Sequence, residues 1–228
     1  MVSWDSTSFA QHLSLNSRIS SEKTHGVKTR TVVSPTQGFH IVSTTTISGL
    51  DTFVPEANCF AGSLQFVPPD FIIDEYELNQ RYQEGYGSLC HVIGERDLEL
   101  PAQAVGGRSA AILAEIPFQP EVKIDIPLHL RYPSPKEGVE LSEPLLPWPW
   151  VIVTCDAQEH TGRELLDQIF SNKTITSHYT LIAPGIPRPS TPILVPTGNS
   201  SHQMWVEIGT LLSVFLAFGY VVWCLLKP

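Results

Sequence analysis

The sequence predicts a mainly β chain: an antiparallel β-sandwich-like domain followed by a single C-terminal transmembrane helix. Three observations carry this. Apolar residues recur with period two over much of the chain, the spacing of half-buried strands. A run of 19 residues near the C-terminus, Ile208 to Leu226, holds no charge. Only 16% of the 228 residues are charged, below the roughly 25% of soluble domains, so part of the chain belongs in an apolar medium.

The clearest strand is Val122 to Tyr132, where Val122, Ile124, Ile126, Leu128, Leu130 and Tyr132 share one face and Lys123, Asp125, His129 and Arg131 the other. Pro127 on the polar side predicts an edge or bulged strand, because proline has no N–H to give a neighbour. Phe39–Leu50, Phe60–Val67, Leu89–Ile93, Arg108–Phe118 and Trp150–Cys155 read as further strands, with Gly and Pro between them. Short strands in this rhythm suggest an antiparallel sandwich of about 120 residues. Helical spacing is confined to Asp74–Tyr82 and to Gly162–Phe170, where Leu165, Leu166, Ile169 and Phe170 fall on one face.

The uncharged run would be roughly 28 Å long as a helix, about one hydrocarbon core. Glu207 and Lys227 bracket it. No Lys or Arg lies between Pro189 and Glu207, whereas Lys227 follows the helix, which points the C-terminus to the cytosol. Residues 183–201 carry five prolines and predict an extended stalk. The first 30 residues are Ser-rich without an apolar h-region, so no signal peptide is recognised. The expected organisation is a disordered segment 1–37, a lumenal β-rich domain 38–182, a Pro-rich stalk 183–206, and a membrane helix with a short cytosolic end, 207–228.

A net charge of -9 and the lack of any basic run exclude a nucleic-acid binder, whose affinity rests on clustered Lys and Arg. The four cysteines form no CxxC pair, which excludes a zinc ribbon or a thioredoxin-type centre. Cys224 lies in the membrane run; of Cys59, Cys90 and Cys155, two are expected to pair in an oxidising compartment, and three pairings are open. The sequons Asn172-Lys173-Thr174 and Asn199-Ser200-Ser201 are glycan acceptors if the domain is lumenal. Asn172 is the expected site, because Asn199 lies close to the bilayer.

No GxSxG, GxGxxG, Walker loop, HExxH or Asp-x-Asp motif occurs. Glu95, Asp97 and Glu99 would share one side of a strand and could hold calcium, but with Arg96 and Leu98 on the opposite face they read as the solvated face of a short strand. The eight histidines show no ligand spacing. No cofactor and no metal is expected. Within the membrane run, Gly209, Ser213 and Ala217 form a stripe of small residues that would admit another helix.

Several stretches together resemble the PIG-X family, the small subunit of GPI mannosyltransferase I, in its plant form. They run from about Gly38 to Cys155. Gly38-Phe39-His40 resembles the opening of the family domain, and Cys59 and Cys155 match an early and a closing cysteine. VPPDFIIDEYEL (Val67–Leu78) is similar to the family's motif ending in Asp-x-aromatic-Glu-Leu. VIGERDLELPA resembles the plant segment, and IPLHLRYPSP (Ile126–Pro135) the Pro-Leu-His-x-Arg-Tyr core. Asp70 stands where the family has Gly, Glu75 where it often has Pro, and Pro144–Trp150 also departs.

The resemblance implies a non-catalytic subunit in the endoplasmic reticulum membrane. Its partner would be PIG-M, the polytopic enzyme that adds the first mannose of the GPI anchor. It also implies a Cys59–Cys155 disulfide with Cys90 reduced, and marks Asp74, Tyr76, Glu77, His129, Arg131 and Tyr132 as the residues that matter. A purely structural role for these would have Arg131 pairing a carboxylate and Tyr132 packing in the core. Two other classes fit the same outline: a receptor or adhesion ectodomain, and a lumenal-leaflet enzyme built on Glu95, Asp97 and Glu99.

Overall fold

The computed structural model describes residues 26–52, 59–154, 162, 164, 166, 167, 179–182 and 190–227. Two antiparallel sheets dominate. One has the order β1 (Lys28–Ser34), β2 (His40–Ser48), β7 (Glu121–Leu130), β4 (Phe71–Ile72); the other runs β11 (Tyr179–Ile182), β10 (Trp150–Thr154), β3 (Phe60–Val67), β6 (Ala110–Glu115), β5 (Cys90–Gly94). They pack face to face, as the period-two reading predicts: Ile41, Ile47, Ile124, Ile126 and Leu128 from the first share one core with Ala61, Ile112, Ala114, Val151 and Val153 from the second. A buried hydrogen bond from Gln65 Nε2 of β3 to Ser43 Oγ of β2, 3.3 Å, also joins the sheets.

The second sheet is buried on both faces. Leu64, Phe66, Ala111, Leu113, Ile152 and Leu181 turn away from the sandwich core into a second cluster with Leu166. Hence β6 reads as a nearly continuous apolar run, since alternation appears only where one face meets water. Gly162, Glu164, Leu166 and Asp167 are helical, in agreement with the predicted 162–170 helix.

Pro127 lies on an open edge of β7 and not in a bulge, in agreement with the edge reading. Strand β7 is paired with β2 from Glu121 to His129, Pro127 lying opposite Val42, and with β4 at His129 and Leu130. The Leu130 N–H donates to Phe39 O at 2.8 Å, and in an antiparallel ladder every second residue faces the same neighbour. Leu128 and Ile126 therefore face β2, and the nitrogen of Pro127 faces the other side, beyond the end of the two-residue β4. No ladder bond is lost.

The expected boundaries shift at both ends. Strand β1 lies inside the segment expected to be disordered through residue 37, with Thr31 and Val33 buried. Its alternation is carried by threonines, so an apolar count passes over it. The predicted stalk is folded over much of its length: β12 (Ser190–Pro192) pairs with β9 (Leu145–Pro147), and β13 (Val195–Pro196) with β8 (Leu141–Ser142). Ile193 and Val195 are fully buried. Prolines in two- and three-residue strands cost few ladder bonds, and the apolar residues between them decide the outcome.

Helix α1 (Glu75–Gln83) follows β4, a short α2 (Ala102–Val105) precedes β6, and α3 (Gln203–Leu226) closes the chain. With its preceding turn, α3 forms a 27-residue span, Ser200–Leu226, apolar over most of its length and with no buried residue. By length and composition it can span a bilayer.

Candidate functional site

The site grows from the C-terminal end of β7. His129 stands opposite His40 of β2 on one side and Ile72 of β4 on the other. Two residues after Ile72 the chain turns into α1, with Asp74 as its N-cap. Asp74 Oδ1 accepts the N–H groups of Tyr76 at 2.9 Å and Glu77 at 3.1 Å, which satisfies two donors the first helical turn leaves orphaned. Buried Leu78 pins the helix to the core, so Glu77, one turn in, leans back over β7.

A chain of polar contacts results. Arg81 Nε donates to Glu77 Oε1 at 3.1 Å. Glu77 Oε2 lies 3.2 Å from His129 Nε2, and His129 Nδ1 lies 2.7 Å from His40 Nδ1, the rings meeting edge to face with centroids 4.6 Å apart. Asp74, Glu77 and His129 can each present a ligand atom within 4.8 Å of the other two. Residues 52 positions apart are thus brought together by the β4–β7 pairing.

Arg131 does a different job. It is only 4% exposed, and its guanidinium donates to three backbone carbonyls: Pro69 at 3.1 Å, Asp97 at 2.9 Å, and Leu100. Its own N–H donates to Asp70 O at 2.8 Å. The arginine therefore ties two loops to the end of β7, through carbonyls and not through the carboxylate partner expected of a structural role. Burial pulls its pKa down, while the nearby carboxylates of Glu95 and Asp97 act the other way. Tyr132 does not enter the core: it is 75% exposed and rests on Phe39 with ring centroids 4.4 Å apart. Tyr76 is 81% exposed and borders a hollow of about 290 Å³ with Glu75, Arg96 and Leu98.

The acidic run does not converge on a ligand. Glu95 Oε1 accepts Asp97 N–H and Asp97 Oδ1 accepts Glu99 N–H, each at 2.9 Å, while Glu95 Oε2 takes Arg108 Nε at 2.6 Å. These bonds, the Asp97 N–H first and Arg108 second, hold the Glu95 carboxyl below its ordinary range. This is loop scaffolding.

Sequence reading passed over a second polar pair, His91 and Glu115, 2.7 Å apart on β5 and β6. Glu115 also accepts the Gly162 N–H at 3.3 Å, and it borders a cleft of about 420 Å³ with Phe60, Tyr82, Leu89 and Phe118. No local motif marks residues 24 apart. Beside them the Cys90 thiol is pushed up to about 12, by burial first and then by Glu115.

Cys59 is disulfide-bonded, whereas Cys90 and Cys224 are free thiols. Cys155 and Asn172 lie outside the described residues. Asn199 caps the turn before α3, its Oδ1 accepting from Ser201 N–H and Oγ–H. Gly209, Ser213 and Ala217 lie one above the next on α3, and the Ser213 hydroxyl donates to Gly209 O at 2.7 Å, so the hydroxyl in the stripe is satisfied within the helix.

Comparison with known proteins bears on this arrangement. The family model PIG-X / PBN1 matches residues 36–226. Protein pbn1 of Neurospora crassa is 27% identical over 193 residues, 75% of this chain and 37% of its own length. Protein pbn1 of Schizosaccharomyces pombe is 28% identical over 183 residues, 76% of this chain and 52% of its own. Protein PBN1 of Yarrowia lipolytica reaches 33% over a shorter stretch of 104 residues, 39% of this chain and 20% of its own length. The chain thus spans about a third to a half of the first two relatives. The matched region takes in every strand but β1, the His129 site and the apolar helix, and on that extent the chain belongs to the PIG-X / PBN1 family.

Proposed function

We propose that this chain is a non-catalytic subunit of GPI mannosyltransferase I, holding and stabilising the polytopic mannosyltransferase PIG-M in the endoplasmic reticulum membrane with the β domain in the lumen. One observation carries the reading. The six residues that the PIG-X resemblance marks gather around the end of β7, and they divide into two groups. Asp74, Glu77, His129 and Arg131 fix loops and helix to the sheet, while Tyr76 and Tyr132 project into solvent. Exposed aromatics on a rigid base are what a binding surface needs, since Tyr supplies large contact area at small entropic cost. In the acidic run, Glu95 and Asp97 hold loop backbone and Arg108, which favours a holding role over chemistry.

Binding would protect PIG-M by mass action, with α3 alongside its membrane helices. The test is surface display of a GPI-anchored reporter in cells lacking PIG-X, given this chain with its cognate PIG-M or PIG-M alone. Restoration that needs both chains supports the reading; equal display with PIG-M alone, or none despite good expression of both, contradicts it.

A further inference from the structure

We propose that Asp74, Glu77 and His129 form a divalent transition-metal site, with zinc as the fitting ion and His40 as the residue that orients the imidazole ligand. The site goes beyond the subunit role and is testable without the partner.

Three features argue for it. The donor set is mixed, one imidazole nitrogen and two carboxylate oxygens, which suits zinc and its first-row neighbours. Each carboxylate keeps an oxygen available: Asp74 uses Oδ1 on the two helix N–H groups and keeps Oδ2, and Glu77 gives Oε1 to Arg81 and turns Oε2 toward His129. Finally, the three come from two anchored pieces of backbone: the cap and first turn of α1, and β7 between two neighbours.

The His40 contact supplies the orientation. A single proton serves the 2.7 Å approach of the two Nδ1 atoms. With that proton on His129, its Nδ1–H donates to His40 and its Nε2 lone pair faces the carboxylates. A metal-bound histidine ordinarily uses its other nitrogen in this way, which fixes ring and tautomer. Without an ion, Nε2–H donates to Glu77 Oε2 and the same residues close as a hydrogen-bonded pair. Ligand atoms on a tetrahedral zinc stand roughly 3.3 to 3.5 Å apart, so from a maximum of 4.8 Å the side chains need rotate inward by only about an ångström. The remaining position would hold water or a group from a partner.

Purified full-length chain in detergent, titrated with Co²⁺ and then with competing Zn²⁺, tests this. Wild type should take up one Co²⁺ with a visible spectrum free of thiolate charge transfer, lose it to Zn²⁺, and melt at higher temperature with Zn²⁺ bound. Asp74→Asn keeps a good helix cap but lowers the carboxylate count, and should weaken Zn²⁺ binding about tenfold or more; His129→Asn should abolish it. His40→Phe should cost about tenfold through the lost orientation. His91→Asn, at the other His–carboxylate pair, should change nothing. No uptake by wild type, or equal uptake by Asp74→Asn and wild type, overturns the proposal. Asp74→Asn carries the decision if His129→Asn fails to fold.

Discussion

His40 and His129 face each other across β2 and β7 with Nδ1 atoms 2.7 Å apart, and only His129 reaches on to Glu77. The two are therefore not equivalent. His129→Ala removes contacts to two elements and leaves the partly buried Glu77 with Arg81 alone, so it should destabilise the domain by about 1 to 2 kcal/mol. His40→Ala, at an exposed position, should cost under about 0.5 kcal/mol. Urea titration of the two variants checks the order.

Asp74 separates cap from charge. Asp74→Ala should lower stability by about 1 kcal/mol through loss of the α1 cap, and Asp74→Asn by only a few tenths. Thermal melting of both variants, made metal-free with a chelator, reads this directly. Equal losses would mean that the carboxylate charge, not the cap, is what the fold uses.

Arg131 should tolerate no replacement, including lysine. An ammonium cannot serve three carbonyls spread over two loops as a planar guanidinium does. Arg131→Lys should cost about 2 kcal/mol in urea unfolding, leaving buried carbonyls short of donors.

Tyr76 and Tyr132 behave oppositely if they belong to a binding surface. Tyr76→Ala and Tyr132→Ala should leave the urea midpoint nearly unchanged, within about 0.5 kcal/mol of wild type. The double variant should still lose most of its ability to restore the reporter. Full restoration by a stable double variant would move the contact surface elsewhere.

Cys90 should be inert in the folded chain. Its thiol, ordinarily near 9.0, is held up to about 12 by burial and Glu115, and the thiolate is the reactive form. Iodoacetamide near pH 8 should modify it slowly in the native state and readily in urea. Because the folded thiol keeps its proton longer than the unfolded one, this group's stabilisation is complete below about pH 9 and is lost as pH rises toward about 12. Cys90→Ala should lack that part of the alkaline slope.

The strands and the apolar C-terminal helix were legible because each carries a dense local signal: period two in Val122–Leu130, and 19 uncharged residues from Ile208. What escaped was decided at long range. β1 alternates through Thr29, Thr31 and Val33, whose burial depends on Thr45 and Ser43 of β2, the Thr31 and Thr45 hydroxyls meeting at 3.0 Å. The Pro-rich segment folds because Ile193 and Val195 find a core, which composition does not reveal. The same holds for the site. The PIG-X resemblance marks six residues, but that Arg131 would bind carbonyls, or that His129 would bridge His40 and Glu77, depends on the β4–β7 and β2–β7 registers.

The central claim is that this chain holds PIG-M, and the half-life of tagged PIG-M in PIG-X-deficient cells tests it most directly. With this chain supplied, PIG-M should persist several-fold longer after a synthesis block and co-purify with the chain in mild detergent. An unchanged half-life with no co-purification, both proteins being well expressed, would contradict the account.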